Sequence, residues 1–151
     1  MIMRTLILVL VTVVLTACSN SEPQPIAYGT DECAHCMMKI SDPLYGAEMV
    51  TSKGKAYKFD AIECLAAFVN EGTVVASTDV AGLYVTNLTK PEMFIPAEKA
   101  MYVRSTAIKS PMGMGLAAVS SEEEAKRVEM NYFGDILTWD KVKATVKTEG
   151  M

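Results

Sequence analysis

Cys33-Ala34-His35-Cys36-Met37-Met38 sets two thiols, one imidazole and two thioethers within a single short stretch. Two cysteines three positions apart can grip one soft metal ion, and thioethers join such a site without losing a proton. The same spacing also serves thiol–disulfide exchange or a structural disulfide, and the tetrad alone leaves all three open. Structural zinc usually completes four ligands with a second Cys or His pair. Here the one histidine lies inside the first pair, and Cys64 is the only cysteine further along. Covalent haem attachment requires His directly after the second Cys, and position 37 is Met. Eleven methionines and four cysteines beside one histidine favour copper(I), which accepts two or three soft sulfurs.

A second signal is Ser110-Pro111-Met112-Gly113-Met114-Gly115, where glycines flank two thioethers in a loop. Met112 and Met114 are therefore candidate ligands, and a loop folded onto the core is the plainer alternative. Met49, Met101 and Met130 fall on expected strands and a helix and read as core filler. Cys64 falls early in an expected helix, where it serves either as a small buried hydrophobe or as a thiolate favoured by the helix N-terminus. His35 reads as a ligand or as a solvent-facing neighbour. Glu122, Glu123 and Glu124 read as a solvated helix start. No paired catalytic carboxylates, phosphate-cradling glycine loop or nucleophile–base motif occurs.

These residues must be positioned by a chain of 151 residues, half apolar and 21% charged, which suits one folded domain. A net charge of −4 with no basic run argues against nucleic-acid binding. Arg4 followed by the apolar run Thr5–Leu15 has the form of an export signal and is too short for a lasting membrane span. It ends in Leu15-Thr16-Ala17-Cys18, which looks like a lipobox. Residues 1–17 are thus expected to be removed and Cys18 to carry acyl chains such as palmitate, which anchor the protein durably. The protein is then expected in the cell envelope, facing the periplasm or the outer surface. Residues 18–30, with Pro23 and Pro25, read as the lipidated cysteine and a flexible stalk, and 31–148 as the folded domain. With Cys18 lipidated, Cys33, Cys36 and Cys64 remain, an odd number in an oxidising compartment.

Ala47–Thr51 and Ala56–Phe59 read as strands around a Ser-Lys-Gly-Lys turn. Asp60 with Glu63 reads as a capping box, opening a helix that Asn70-Glu71-Gly72 closes. Leu83–Leu88 follows as a strand. The order then recurs: strands at Ala100–Thr106 and Leu116–Val119, a helix capped by Ser121 with Glu124 and running to about Phe133, and a strand at Ile136–Trp139 before a Lys-rich tail. The expected class is α+β, with two β-β-α-β repeats forming small sheets packed with two helices. That order disfavours a thioredoxin-like exchanger, and residues 26–32 make a poor core strand to precede its motif.

Cys-x-x-Cys-x-Met-x-Ile at 33–40, Lys58-Phe59-Asp60 leading to Glu63-Cys64, Asn87–Pro91, Ala100–Val103 and Ser110–Gly113 occur in this order behind the lipobox. Together they resemble the NosL family of copper-binding lipoproteins over residues 31–140. The resemblance implies two β-β-α-β repeats and a non-enzymatic copper(I) carrier outside the cytoplasm. In denitrifying bacteria the family serves maturation of nitrous oxide reductase beside an ABC-type transport complex, so a recipient cuproenzyme or that complex is the implied partner. Cys36, Met38 and Met112 match the family motifs, and Cys33 and Cys64 belong to the form richer in cysteine. Position 37, commonly Gly in the family, is Met here. The candidate metal ligands are Cys33, Cys36, Met38, Cys64, Met112 and Met114, with Cys33 and Cys36 holding copper and Met38, Met112 or Met114 completing the site. Two rivals remain at this point: a periplasmic thiol–disulfide oxidoreductase using Cys33 and Cys36, and a structural interaction lipoprotein.

Overall fold

A computed structural model describes residues 22–72 and 79–150. The apolar leader, the lipobox and Cys18 lie outside the described residues.

The first hairpin forms where its alternating residues predict it, with β1 at Ala47–Thr51 and β2 at Ala56–Phe59. Its turn is closed by the Lys55 N–H donating to Thr51 Oγ1 at 3.0 Å. Helix α1 follows at Ile62–Glu71 and ends at Gly72. The capping box expected of Asp60 and Glu63 does not form: Ala61 occupies the cap position without a side-chain bond. Asp60 instead accepts from the Ser41 N–H at 3.2 Å, and Glu63 from the Ser110 hydroxyl. Ile62 to Phe68 are all buried, so packing rather than capping stabilises this helix.

β3 spans Val80–Asn87 and turns directly into β4, Lys90–Pro96. The turn is held by Asn87 Oδ1, which accepts from the N–H and the hydroxyl of Thr89 at 3.0 and 2.9 Å. β4 was not expected, because Pro91 and Pro96 interrupt it; it pairs with β3 alone, and an edge tolerates proline. The second half supplies β5 at Met101–Arg104, β6 at Leu116–Val119, α2 at Glu122–Tyr132, β7 at Asp135–Leu137 and α3 at Trp139–Glu149. The Ser121 cap forms as expected, its hydroxyl accepting from the Glu124 N–H at 3.2 Å. Glu124 itself is buried and accepts from Ser120 and Thr89, whereas Glu122 and Glu123 are exposed. Trp139 opens a helix rather than closing a strand, and the Lys-rich tail is α3, with Trp139, Val142 and Val146 buried on one face.

Each half has the β-β-α-β order. In each, the first strand lies in the middle and runs antiparallel to both neighbours, giving β2-β1-β3 and β6-β5-β7. The halves do not form separate small sheets. β3 meets β6 in parallel at Asn87↔Ala118, making one seven-stranded mixed sheet with three helices. The α+β class stands, with one sheet and one helix more than the repeat reading supplies.

Alternation along β5 and β6 sends Tyr102, Leu116 and Ala118 to one core and Val103, Ala117 and Val119 to another. The first core is closed by α1 and α3, and Tyr102 stacks on Trp139 with ring centroids 5.8 Å apart. The second is closed by Ala125 and Val128 of α2 with Tyr45 and Ile108. Met49 is core, as expected, and Met101 packs against the second cluster. Met130 is the exception: it is 66% exposed, because α2 buries only the face carrying Glu124, Ala125 and Val128.

Part of the segment read as a stalk lies on the sheet. The Gln24 N–H donates to Glu48 Oε1 at 2.9 Å, Lys58 Nζ donates to the Pro25 carbonyl at 2.8 Å, and Ile26 is buried. Among the described residues no helix is long and apolar enough to cross a membrane.

Candidate metal centre

The Cys33–Met38 segment is folded back on itself. The Cys33 N–H donates to the Met38 carbonyl at 2.8 Å, the Met37 N–H donates to the Cys33 carbonyl at 3.0 Å, and Glu32 bridges Lys39. To close this turn Met37 takes φ +62°, a left-handed conformation unusual for a residue with a side chain. The loop is pinned to β2, since the Ala34 N–H donates to the Lys58 carbonyl at 2.8 Å. Lys58 Nζ also pairs with Asp31 at 2.7 Å, and Asp31 in turn accepts from the Ala27 N–H. Phe59 is fully buried against Phe68, and Asp60 holds Ser41 beyond the loop. Each residue of Lys58-Phe59-Asp60 therefore places the cysteine loop beside the start of α1.

Cys64, in the first turn of α1, meets that loop from below. The sulfurs of Cys33, Cys36 and Cys64 all lie within 4.8 Å of one another, and all three are free thiols. Cys33 and Cys64 are fully buried, and Cys36 is half-buried, the open side of the trio. Cys64 donates to Cys33, and that bond is the main reason the Cys33 thiol falls from 9.0 to about 5. Burial opposes the fall, and the backbone N–H groups of Asp60, Cys36 and His35 add to it. The partners move the other way. Cys64 is pushed far up, first by donating to Cys33, then by burial and the neighbouring charges. Cys36 is raised, chiefly by burial. Cys33 is thus the most acidic of the three, and Cys36 and Cys64 hold their protons until something replaces them.

The methionine loop packs on the same large core as the cysteines. Met112 and Met114 are half-buried and pack against the cluster containing Cys33 and Cys64. Ser110, at the head of this loop, donates to Glu63 and accepts from the Gly115 N–H at 2.9 Å. Gly115 has φ +69°, and a Cβ there would fall 2.0 Å from the Ser105 carbonyl oxygen, so glycine alone fits. Met38 is 48% exposed at the mouth, beside Met37 at 69%. His35 turns its Nδ1 to Glu71 at 3.4 Å.

The fold therefore gathers Cys33, Cys36 and Cys64, packs Met112 and Met114 on the core that Cys33 and Cys64 share, and leaves Met38 exposed. Asp60, Glu63 and Ser110 surround the pocket's elements but do not read as ligands: the local pattern makes Asp60 and Glu63 a cap and Ser110 the start of a loop, and only their place in the family motifs marks them out.

The chain resembles the copper-binding lipoprotein NosL of Stutzerimonas stutzeri, with 28% identity over 96% of this chain and 82% of that protein. Its fold is shared with the crystal structure of the copper chaperone NosL from Shewanella denitrificans, at a TM-score of 0.66 and 22% identity, covering 80% of this chain and 94% of that one. Residues 26–147, which include every sulfur of the pocket and of its loop, match NosL, and the chain belongs to the NosL family.

Proposed function

We propose that this protein is a copper(I) carrier of the cell envelope, tethered to a membrane by acyl chains on Cys18. The three-sulfur pocket of Cys33, Cys36 and Cys64 carries the reading. Three sulfurs with no fourth Cys, His or carboxylate beside them among the described residues suit copper(I) and leave tetrahedral zinc one ligand short. Met112 and Met114 supply thioethers from the packed loop, and Met38 supplies one at the mouth.

Copper is cargo here, and the pocket's chemistry is ligand exchange. Cys33 is the most acidic thiol of the pocket, so the first bond forms there with the least cost of displacing a proton. Cys36, on the open side, is the natural second ligand, and its proton leaves as its sulfur binds. An incoming sulfur from a partner adds to the unsaturated ion, and the carrier's sulfurs leave in turn as protons return. Nothing is oxidised, and no catalytic turnover is required.

The relatives' names support the cargo, and the family's role supports the client, a cuproenzyme such as nitrous oxide reductase served directly or through an ABC-type transport complex. Thiol–disulfide exchange draws on the same acidic thiol. An exchanging nucleophile must be reached by a second disulfide, however, and Cys33 has no exposed surface. The client assignment is tested by purifying nitrous oxide reductase from cells lacking this protein and counting its copper. A copper-poor enzyme, restored by the wild-type chain and not by Cys33→Ser/Cys36→Ser, is expected. Full copper content would refute this client.

A further inference from the structure

Glu63 is the least expected residue of α1. Its side chain has no exposed surface and lies between Ile62 and Cys64 on a helix face otherwise made of apolar groups. One carboxylate oxygen accepts from the Ser110 hydroxyl, and the other has no well-aligned partner, although the backbone N–H groups of Leu116 and Met114 lie close enough to favour the ionised form. A buried carboxylate with an unpaired oxygen destabilises a fold, and a leucine would fill the same space without that cost. Its contacts supply the reason to keep it.

Ser110 is itself buried, and its hydroxyl faces two ways, donating to Glu63 and accepting from the Gly115 N–H. The Ser110 carbonyl accepts from the Gly113 N–H at 3.0 Å. Both ends of the methionine loop are thus tied to one hydroxyl, and that hydroxyl to the residue preceding Cys64. Beyond this, Arg104 Nε donates to the Met114 carbonyl at 3.3 Å. We propose that Glu63 and Ser110 form a latch that holds the methionine loop against the cysteine pocket, which makes Glu63 a positioning residue for the Met112 and Met114 thioethers. The latch rests on the contacts above, and its service to copper rests on the carrier reading.

Two arms test it on the reduced full-length protein. In the metal-free arm, amide hydrogen exchange is followed across residues 110–116. Ser110→Ala should speed exchange of the Gly115 amide about tenfold, the loss of one buried hydrogen bond. Glu63→Leu should do the same. Glu63→Gln, whose amide oxygen still accepts from Ser110, should stay within about threefold of the wild type. In the copper(I) arm, X-ray absorption counts sulfurs around the ion. Ser110→Ala should lose the sulfurs that Met112→Leu/Met114→Leu loses, and Glu63→Gln should keep them. Unchanged Gly115 exchange in Ser110→Ala overturns the latch. A wild-type sulfur count in Ser110→Ala, or in the double Met variant, overturns the positioning role. If the wild type binds no copper(I), the carrier reading fails, and the exchange arm still decides the latch.

Discussion

Removing the Cys64 thiol should raise the pH at which Cys33 titrates. Cys33 sits at about 5 rather than 9.0, and the largest cause is the hydrogen bond from Cys64. A hydrogen bond to a charged acceptor is worth about 1.5–3 kcal/mol. At about 1.4 kcal/mol per pH unit, its loss moves the midpoint by about one to two units. Cys64→Ala should therefore shift Cys33 to a midpoint of about 6–7, the N–H groups of Asp60, Cys36 and His35 still favouring the thiolate. The assay is ultraviolet thiolate absorbance against pH on reduced, metal-free protein, in a Cys18→Ser/Cys36→Ser background, where Cys64, when present, stays protonated and Cys33 alone reports. A matched control in that background with Cys64 intact supplies the reference. A midpoint displaced by less than about half a unit would refute the reasoning and assign the low value to the backbone N–H groups alone.

Gly115→Ala should destabilise by roughly 3 kcal/mol or more, since it adds a backbone clash to a left-handed φ; Gly113→Ala, with open space around it, should cost about 1 kcal/mol. Equal denaturant midpoints for the two would contradict the structure. Met37→Gly should stabilise by about 1 kcal/mol by relieving the left-handed backbone, and a lower midpoint would show that the exposed side chain contributes more than its conformation costs. Glu48→Gln tests the other buried carboxylate with an unpaired oxygen. Burial raises the Glu48 pKa, so its contribution to stability is full below the ordinary carboxylate range and is lost as pH rises through the folded value. The advantage of Gln over Glu in urea midpoint should accordingly grow from pH 4 to pH 8, and a pH-independent difference would count against it.

Local patterns carried far in some places and failed in others for definite reasons. β1, β2 and β6 lie where their short apolar runs place them, because strand and turn signals there agree. β4 was hidden by Pro91 and Pro96, which argue against a strand unless it is known to be an edge. α3 was legible in Trp139, Val142 and Val146 at helical spacing, but its lysines made it read as a tail. The first cap was misread because Asp60 and Glu63 are drawn away by Ser41 and Ser110, 19 and 47 residues distant, which no local rule sees. At the site, Cys33 and Cys36 are given by adjacency in the chain. Cys64 joins them only through β2 and α1, and Met112 and Met114 pack on the same core from a loop whose head, Ser110, meets Glu63.

The central claim is that the three cysteines hold one copper(I) ion. Its most direct test is an anaerobic titration of the reduced protein with copper(I) against a chromophoric competitor, comparing wild type with Cys33→Ser, Cys36→Ser and Cys64→Ser singly and together. One ion per chain is expected, with weaker binding in each single variant and no competitive binding in the triple variant. Wild-type affinity in the triple variant would contradict the claim.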